Sequence, residues 1–146
     1  MMLARAPARL VWMLAEPLLA RATTLLGAKG LVVWLLTDQT QGLAPAFAYG
    51  YDPVVMARMG AVALSADNLT ASAFRSGVPA TSPATSDRAA AVAVPIVTAN
   101  GPAGVLAAEV RPEADIDQSV ALAAVVAAQM ANLFPAPEPL AERAAT

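Results

Sequence analysis

The pattern of hydrophobic positions predicts a helix at each end of the chain, with strands and short helices between them. Apolar residues recur at helical spacing over residues 8–26, where Pro17 is predicted to kink or divide the helix. Apolar runs further along predict strands, and acidic helix starts followed by glycine stops predict two short helices. The predicted strands cover residues 29–37, 43–49, 62–64 and 78–82, and the short helices lie between Asp52 and Gly60 and between Asp67 and Gly77.

A hairpin of two longer strands precedes the last helix. Apolar residues fill segments 88–98 and 103–110, and Asn100-Gly101 between them is the strongest hairpin signal in the chain. Asp115 is predicted to cap a final helix that runs to Phe134. Because no long crossover helix separates consecutive strands, this order of elements indicates an α+β fold in which helices pack on an antiparallel sheet.

Composition narrows the chemistry that the chain can perform. Of its 146 residues, 58% are hydrophobic and 14% are charged, which is typical of a folded domain. The sequence has no cysteine and no histidine, which excludes thiol nucleophiles, zinc–thiolate sites, imidazole bases and haem-ligating histidines. We therefore expect no cofactor, no metal site and no enzymatic activity. Scattered carboxylates are interpreted as structural: Asp87, Glu109, Glu113, Asp115 and Asp117.

Charge and hydropathy argue against nucleic acids and membranes as partners. The net charge is −2, and the sequence shows no basic patch that could neutralise phosphates. The apolar stretch over residues 10–26 is interrupted by Glu16, Pro17 and Arg21, so we expect no membrane span. The start of the chain does not look like a signal peptide, and we predict a cytoplasmic location.

Residues 91–110 and the segments around them carry a resemblance to a known family. Here apolar residues around a proline precede a glycine-containing turn and then Gly-Val-Leu. The residues are Val94-Pro95-Ile96, Asn100-Gly101 and Gly104-Val105-Leu106. Residues 68–79 add a helix, a glycine and a strand in that order, and the last helix carries Gln129 and Ala131. With this order of elements, residues 20–134 resemble a GAF domain.

The resemblance implies a central antiparallel sheet of five or six strands. The N- and C-terminal helices would lie on one face and the short helices over the other. It divides the chain into an N-terminal dimer or linker helix (1–27), a GAF-like domain (28–134) and a tail (135–146), which we expect to be disordered.

The known GAF subclasses narrow the function further. Bilin-binding, haem-binding and methionine-sulfoxide-reducing GAF domains rely on cysteine or histidine, which this chain lacks. The Asn-Lys-x-x-x-Phe-x-x-x-Asp-Glu signature of cyclic-nucleotide-binding members is also absent. The resemblance therefore leaves two kinds of function, which are binding of a small metabolite and dimeric signalling.

GAF domains usually hold a ligand between the sheet and the middle helices, which corresponds to residues 47–83 of this chain. Aromatic rings there would supply flat apolar surface, and tyrosine adds a polar tip. The candidate ligand-binding residues are Phe47, Tyr49, Tyr51, Met56, Asn68, Phe74 and Thr81. The alternative is that the rings only fill the core, and that Asp67 at the helix start only caps the helix.

Both terminal helices carry more apolar surface than one contact can cover. The first has a stripe at Leu10, Leu14, Leu18 and Leu25, with Trp12 and Leu19 outside it. The last has one stripe at Ile116, Val120, Ala123, Ala127, Met130 and Phe134, and a second at Leu122, Val125 and Val126. We expect the spare faces to form a helix-packed homodimer, which is also common in GAF proteins. Alternatively, the two helices cover each other within one monomer.

Two functions remain open. The first is a regulatory module that binds an unidentified small molecule, moves the loop at residues 83–88 and signals through a helix-mediated homodimer. The second is a ligand-free dimerisation module of a larger signalling protein, with its pocket filled by side chains. The side chains that would fill it are Tyr49, Tyr51, Met56, Met59 and Phe74. An open cavity favours the first function, and a filled one favours the second.

Overall fold

The computed structural model of the protein describes residues 8–37 and 41–133, which form a six-stranded antiparallel sheet and four helices. The helices are α1 (Ala8–Leu26), α2 (Pro53–Arg58), α3 (Leu69–Ser76) and α4 (Ile116–Met130). The strands are β1 (Ala28–Thr37), β2 (Gly42–Tyr49), β3 (Val62–Ala63), β4 (Ala80–Ser82), β5 (Ala90–Thr98) and β6 (Gly101–Val110). The predicted α+β fold and the predicted order of elements are confirmed.

The sheet has the strand order β3-β2-β1-β6-β5-β4, so the two longest strands lie at its centre. In the register of β1 and β6, Leu31 lies opposite Ala108 and Trp34 lies opposite Val105. Successive side chains of a strand point to opposite faces. One face therefore carries Leu31 and Ala108, and the other carries Trp34 and Val105.

The terminal helices cover the first of these faces. α4 packs on β5 and β6, whereas α1 packs on β1 and β2 and contacts α4 along its side. Their fully buried side chains interlock with those of the strands in one cluster. Its largest members are Leu19, Leu26, Leu31, Ile96, Leu106 and Met130. This cluster continues from α1 into the sheet, across the boundary that we place at residue 27.

The second face is covered by α3 and carries smaller side chains. Its fully buried residues are Leu43, Ala73, Ala93 and Val105, with Trp34, Leu69 and Phe74 packed around them. α2 has no buried residue, so this short helix lies at the edge of the structure. The predicted arrangement, with terminal helices on one face and a short helix over the other, is confirmed for α3.

The buried side of α1 differs from the predicted one. Leu19, which lies outside the predicted stripe, is fully buried together with Ala15, Ala22 and Leu26. Leu25, which belongs to the predicted stripe, is 63% exposed. The stripe was assigned from the large residues, but the two alanines let α1 approach the sheet closely and so determine which side is buried. α1 is also one continuous helix through Pro17.

The last helix follows the prediction more closely. Ala123, Ala127 and Met130 of the predicted stripe are buried. Of the second predicted stripe, Val125 is 57% exposed, whereas Val126 is buried in the cluster under the helices. Phe134 lies outside the described residues, as does the predicted tail, and so do the side chains of Leu10, Trp12 and Leu14.

Helix caps explain where the other helices begin. The Asp52 carboxylate accepts the Val54 amide hydrogen at 2.7 Å, and the Asp115 carboxylate accepts that of Asp117 at 3.0 Å, as predicted. The prediction that Asp67 caps α3 is wrong, because Asn68 accepts the Ala71 amide hydrogen at 2.9 Å. Asp and Asn cap helices about equally well, so their adjacent positions did not distinguish them in the sequence.

A buried hydroxyl joins the end of α1 to the start of α4. Ser119 is buried, and its Oγ donates a hydrogen bond to the Leu26 carbonyl at 2.8 Å. The Arg111 amide also donates to the Gly27 carbonyl at 2.8 Å. Because the last carbonyls of a helix have no partner within the helix, Ser119 satisfies a group that would otherwise be unpaired.

Replacing Ser119 with alanine removes that bond. We expect Ser119→Ala to lower the free energy of unfolding by about 1–2 kcal/mol, because the Leu26 carbonyl stays buried without a donor. Urea unfolding measures this change, and Ser72→Ala in α3 is the control, expected to fall within about 0.5 kcal/mol of the parent. Equal stabilities for the two variants would contradict the assigned role of Ser119.

Candidate ligand-binding site

A cavity of about 210 Å³ lies on the second face of the sheet, beside α3. Strands β1, β5 and β6 form its floor, and residues before and after α2 and at the start of α3 form its walls. The lining residues are Val32, Trp34, Tyr51, Met59, Leu69, Thr70, Ala91, Val92, Ala107, Ala108 and Glu109.

Small side chains on the floor leave the space open. Ala107 of β6 lies opposite Val32 of β1, and Ala91 of β5 lies opposite Glu109 of β6. On this face the alanines stand where the other face carries leucine, isoleucine and valine. An alanine side chain extends no further than Cβ, so the cavity is a direct consequence of alanine at these positions.

Tyr51 and Glu109 close one end of the cavity. The Tyr51 hydroxyl donates a hydrogen bond to Glu109 Oε1 at 2.8 Å. The tyrosine ring lies directly over Gly30, where an added Cβ would be 2.9 Å from the ring. Gly30 is also the register partner of Glu109, so the ring spans from one strand to the next. Gly50, at φ 89°, gives the chain before Tyr51 the conformation that this close approach needs.

The environment of Tyr51 keeps its hydroxyl neutral. Burial of the ring raises the pKa of Tyr51, and the hydrogen bond to Glu109 and the negative charge of Glu109 raise this pKa further. The ordinary tyrosine pKa is about 10. Tyr51 is therefore a hydrogen-bond donor at neutral pH, and it fixes one oxygen of the Glu109 carboxylate.

The structure separates the aromatic residues of the predicted site. Tyr51 lines the cavity, whereas Phe47 packs into the cluster beneath α1 and α4 on the opposite face. Tyr49 lies opposite Leu31, which places it on that same opposite face, and it is 40% exposed. Phe74 of α3 packs in the cluster around Leu43, outside the cavity lining.

The polar and flexible candidates also lie outside the cavity lining. Asn68 uses its side chain to cap α3, Met56 is half-buried on α2, and Thr81 is exposed on edge strand β4. The structure thus brings one of the seven candidates, Tyr51, to the cavity. Whether any of them binds a ligand stays a prediction.

The residues that surround Tyr51 were not predicted from the sequence. Trp34 lies within an apolar run that predicted only a strand, and Glu109 was interpreted as a structural carboxylate. The alternation Val105-Ala107-Glu109 along β6 was an available signal, because it places one carboxylate beside small residues on a single face.

Comparison with known proteins identifies the family. The family model described as GAF domain matches residues 13–132. The chain therefore belongs to the GAF domain family, and the resemblance noted in its sequence is confirmed. No curated protein sequence matches the chain.

Solved structures show the same fold in several proteins. The GAF-B domain of DevS from Mycobacterium smegmatis is 23% identical, with a TM-score of 0.66, 87% of this chain covered and 92% of that one. A GAF domain/HD domain protein from Geobacter sulfurreducens is 18% identical, with a TM-score of 0.67 and coverages of 84% and 90%. A type II free methionine-R-sulfoxide reductase from Thermoplasma acidophilum is 13% identical, with a TM-score of 0.69 and coverages of 86% and 93%.

These likenesses concern the fold. One of the neighbours is an enzyme, so the fold by itself does not decide between regulation and catalysis. The absence of enzymatic activity in this chain stays a prediction. Among residues 8–37 and 41–133, no helix has the length and apolar character needed to cross a membrane.

The bond between Tyr51 and Glu109 makes a prediction about pH. In a spectrophotometric titration of the parent chain, Tyr51 should ionise above pH 10. Tyr51→Phe identifies this ionisation step, because the variant lacks it. Glu109→Gln should move this step to lower pH, because it removes the negative charge. A raised pKa in the folded state stabilises the protein fully below the unfolded value of about 10, and this stabilisation is lost as the pH rises through the folded value.

A matched variant serves as the control for this titration. Glu113 is an exposed carboxylate that follows β6 and lies outside the cavity lining. Glu113→Gln should leave the Tyr51 step in place. If Glu109→Gln leaves it in place as well, the assigned hydrogen bond does not govern Tyr51.

Proposed function

We propose that this chain is a regulatory module that binds a small molecule in the cavity and signals through a helix-mediated homodimer. The observation that carries the proposal is the open cavity on the face of the sheet opposite α1 and α4. Two of the residues expected to fill such a pocket, Tyr51 and Met59, line its wall instead. An open cavity favours ligand binding over the alternative, which is a ligand-free dimerisation module.

The sheet offers a short route from the cavity to the helices. Ala107 faces the cavity, while its neighbours Leu106 and Ala108 in β6 pack in the cluster under α1 and α4. α4 contacts both β5 and β6, the strands that supply much of the floor. A ligand that displaces these strands changes the surface on which α4 rests, which would shift the balance between two helix arrangements.

The segment that joins two cavity walls would respond to the same ligand. α2 lies between Tyr51 and Met59, and none of its residues is buried. Few packing contacts would resist its movement when a ligand enters. The loop at residues 83–88, which the sequence suggested as the moving part, lies outside the cavity lining, and its response remains a proposal.

The outer surface of the helix layer supports a homodimer. Leu25 of α1 and Val125 of α4 are each more than half exposed, and Met13 is 62% exposed. Large apolar side chains grouped on one layer are typical of an interaction surface. A second copy of the chain would bury them by a two-fold packing of α1 and α4. A cytoplasmic location stays a prediction.

Native mass spectrometry of the purified protein tests the whole proposal. We expect the mass of a dimer with an additional small-molecule mass that disappears under denaturing conditions. An empty dimer would favour the ligand-free dimerisation module. An empty monomer would contradict both functions.

A charge placed in the helix layer tests the interface itself. We expect Val125→Glu to convert the dimer into a monomer, because the interface would bury an unpaired carboxylate. Sedimentation equilibrium measures the mass in solution. Val78→Glu is the matched control, since Val78 is 56% exposed and follows α3, away from α1 and α4. Dimers of both variants would rule out an interface formed by α4.

A further inference from the structure

We infer that the cavity selects a small organic ammonium ion, held between Trp34 and Tyr51 and beside the Glu109 carboxylate. This inference rests on the proposed function, because it names the class of small molecule that the cavity binds. Charge, aromatic surface and size each support it.

The charge of the cavity is negative. Glu109 is the charged residue among those that line it, and no lysine or arginine belongs to the lining. Within residues 8–37 and 41–133, the carboxylate accepts one hydrogen bond, from Tyr51, and forms no ion pair. Glu109 is exposed, so its remaining acceptor positions are available to a positively charged ligand, which a carboxylate binds through charge-assisted hydrogen bonds.

An anionic ligand would meet no positively charged side chain in the cavity lining. The arginine of α3, Arg75, donates from Nη1 to the carbonyls of Leu64 and Ala66 at 2.6 and 2.8 Å. At the start of α3, the Asn68 side chain accepts the Ala71 amide hydrogen, so this amide is not available to a ligand. A carboxylate or phosphate would therefore meet Glu109 without a partner of opposite charge.

Aromatic rings stand at both ends of the cavity floor along β1. Tyr51 covers Gly30, and Trp34 lies four residues further along the same strand on the same face. Four residues of a strand span about 13 Å, and Val32 lies between the two positions on the same face. Trp and Tyr are the rings that attract ammonium groups most strongly through their faces.

The size of the cavity limits the ligand. Its volume of about 210 Å³ is below the roughly 300–1,000 Å³ of typical ligand pockets. A compact ammonium ion with a few carbon atoms fits this space. The apolar floor of alanine and valine suits alkyl substituents on the nitrogen.

Calorimetric titration with choline and its neutral carbon isostere tests the inference, because the two molecules differ in charge and share a shape. We expect choline to bind the full chain at least about tenfold more tightly than the isostere, a difference of about 1.4 kcal/mol. Glu109→Gln should remove most of this difference, whereas Glu113→Gln should retain it. Ala107→Leu, which fills the floor, should abolish binding of both molecules.

The outcomes separate this inference from the proposed function. Equal affinity for choline and the isostere would overturn the preference for cations and leave a cavity that binds small molecules. A preference that survives in Glu109→Gln would overturn the role of Glu109. Failure of choline to bind the parent chain would also overturn the inference, and native mass spectrometry then reports separately whether another ligand is present.

Discussion

The antiparallel pairing of β1, β6 and β5 sets the arrangement of side chains on both faces of the sheet. These strands are covered on both faces, so their register decides which side chains meet the terminal helices and which meet the cavity. A shift by one residue would exchange the two sets. The fit is close: Gly104 of β6 lies so near the Trp34 carbonyl that a side chain there would collide with the β1 backbone. Glycine at this position therefore allows β1 and β6 to pair as closely as they do.

The two faces of the sheet differ in the size of their side chains, and this difference separates stability from binding. Leu31, Ile96 and Leu106 fill the helix-covered face completely. On the other face, Ala91 and Ala107 leave a space that no residue of the described chain fills. A sheet with large side chains packed on both faces would gain hydrophobic stabilisation, but it would leave no space for a ligand. Alanine adds little apolar area to a core, but beside α3 its small side chain leaves the space that forms the cavity.

The sequence predicted the fold well because its signals are local. Strand and helix periods, Asp52 and Asp115 as caps, and the glycines after the helices act over a few residues. The buried side of α1 was not predictable in this way, since close packing of alanines against the sheet outweighs the stripe of larger leucines. The cavity was less accessible still. Tyr51 was identified as an aromatic residue in the right segment, but Glu109 lies 58 positions away in sequence and meets it only through the sheet register.

Backbone amide NMR during a titration with choline reports on both faces of the sheet at once, so it tests whether a ligand on the alanine-lined face affects the helix layer. We expect chemical-shift changes at residues 107–109 of β6, at the Trp34 indole and, through the shared strands, in α4. The changes should saturate together with one affinity. Shifts confined to the outer surface of the helices, with β6 unaffected, would contradict a ligand site on the alanine-lined face and its connection to the helix layer.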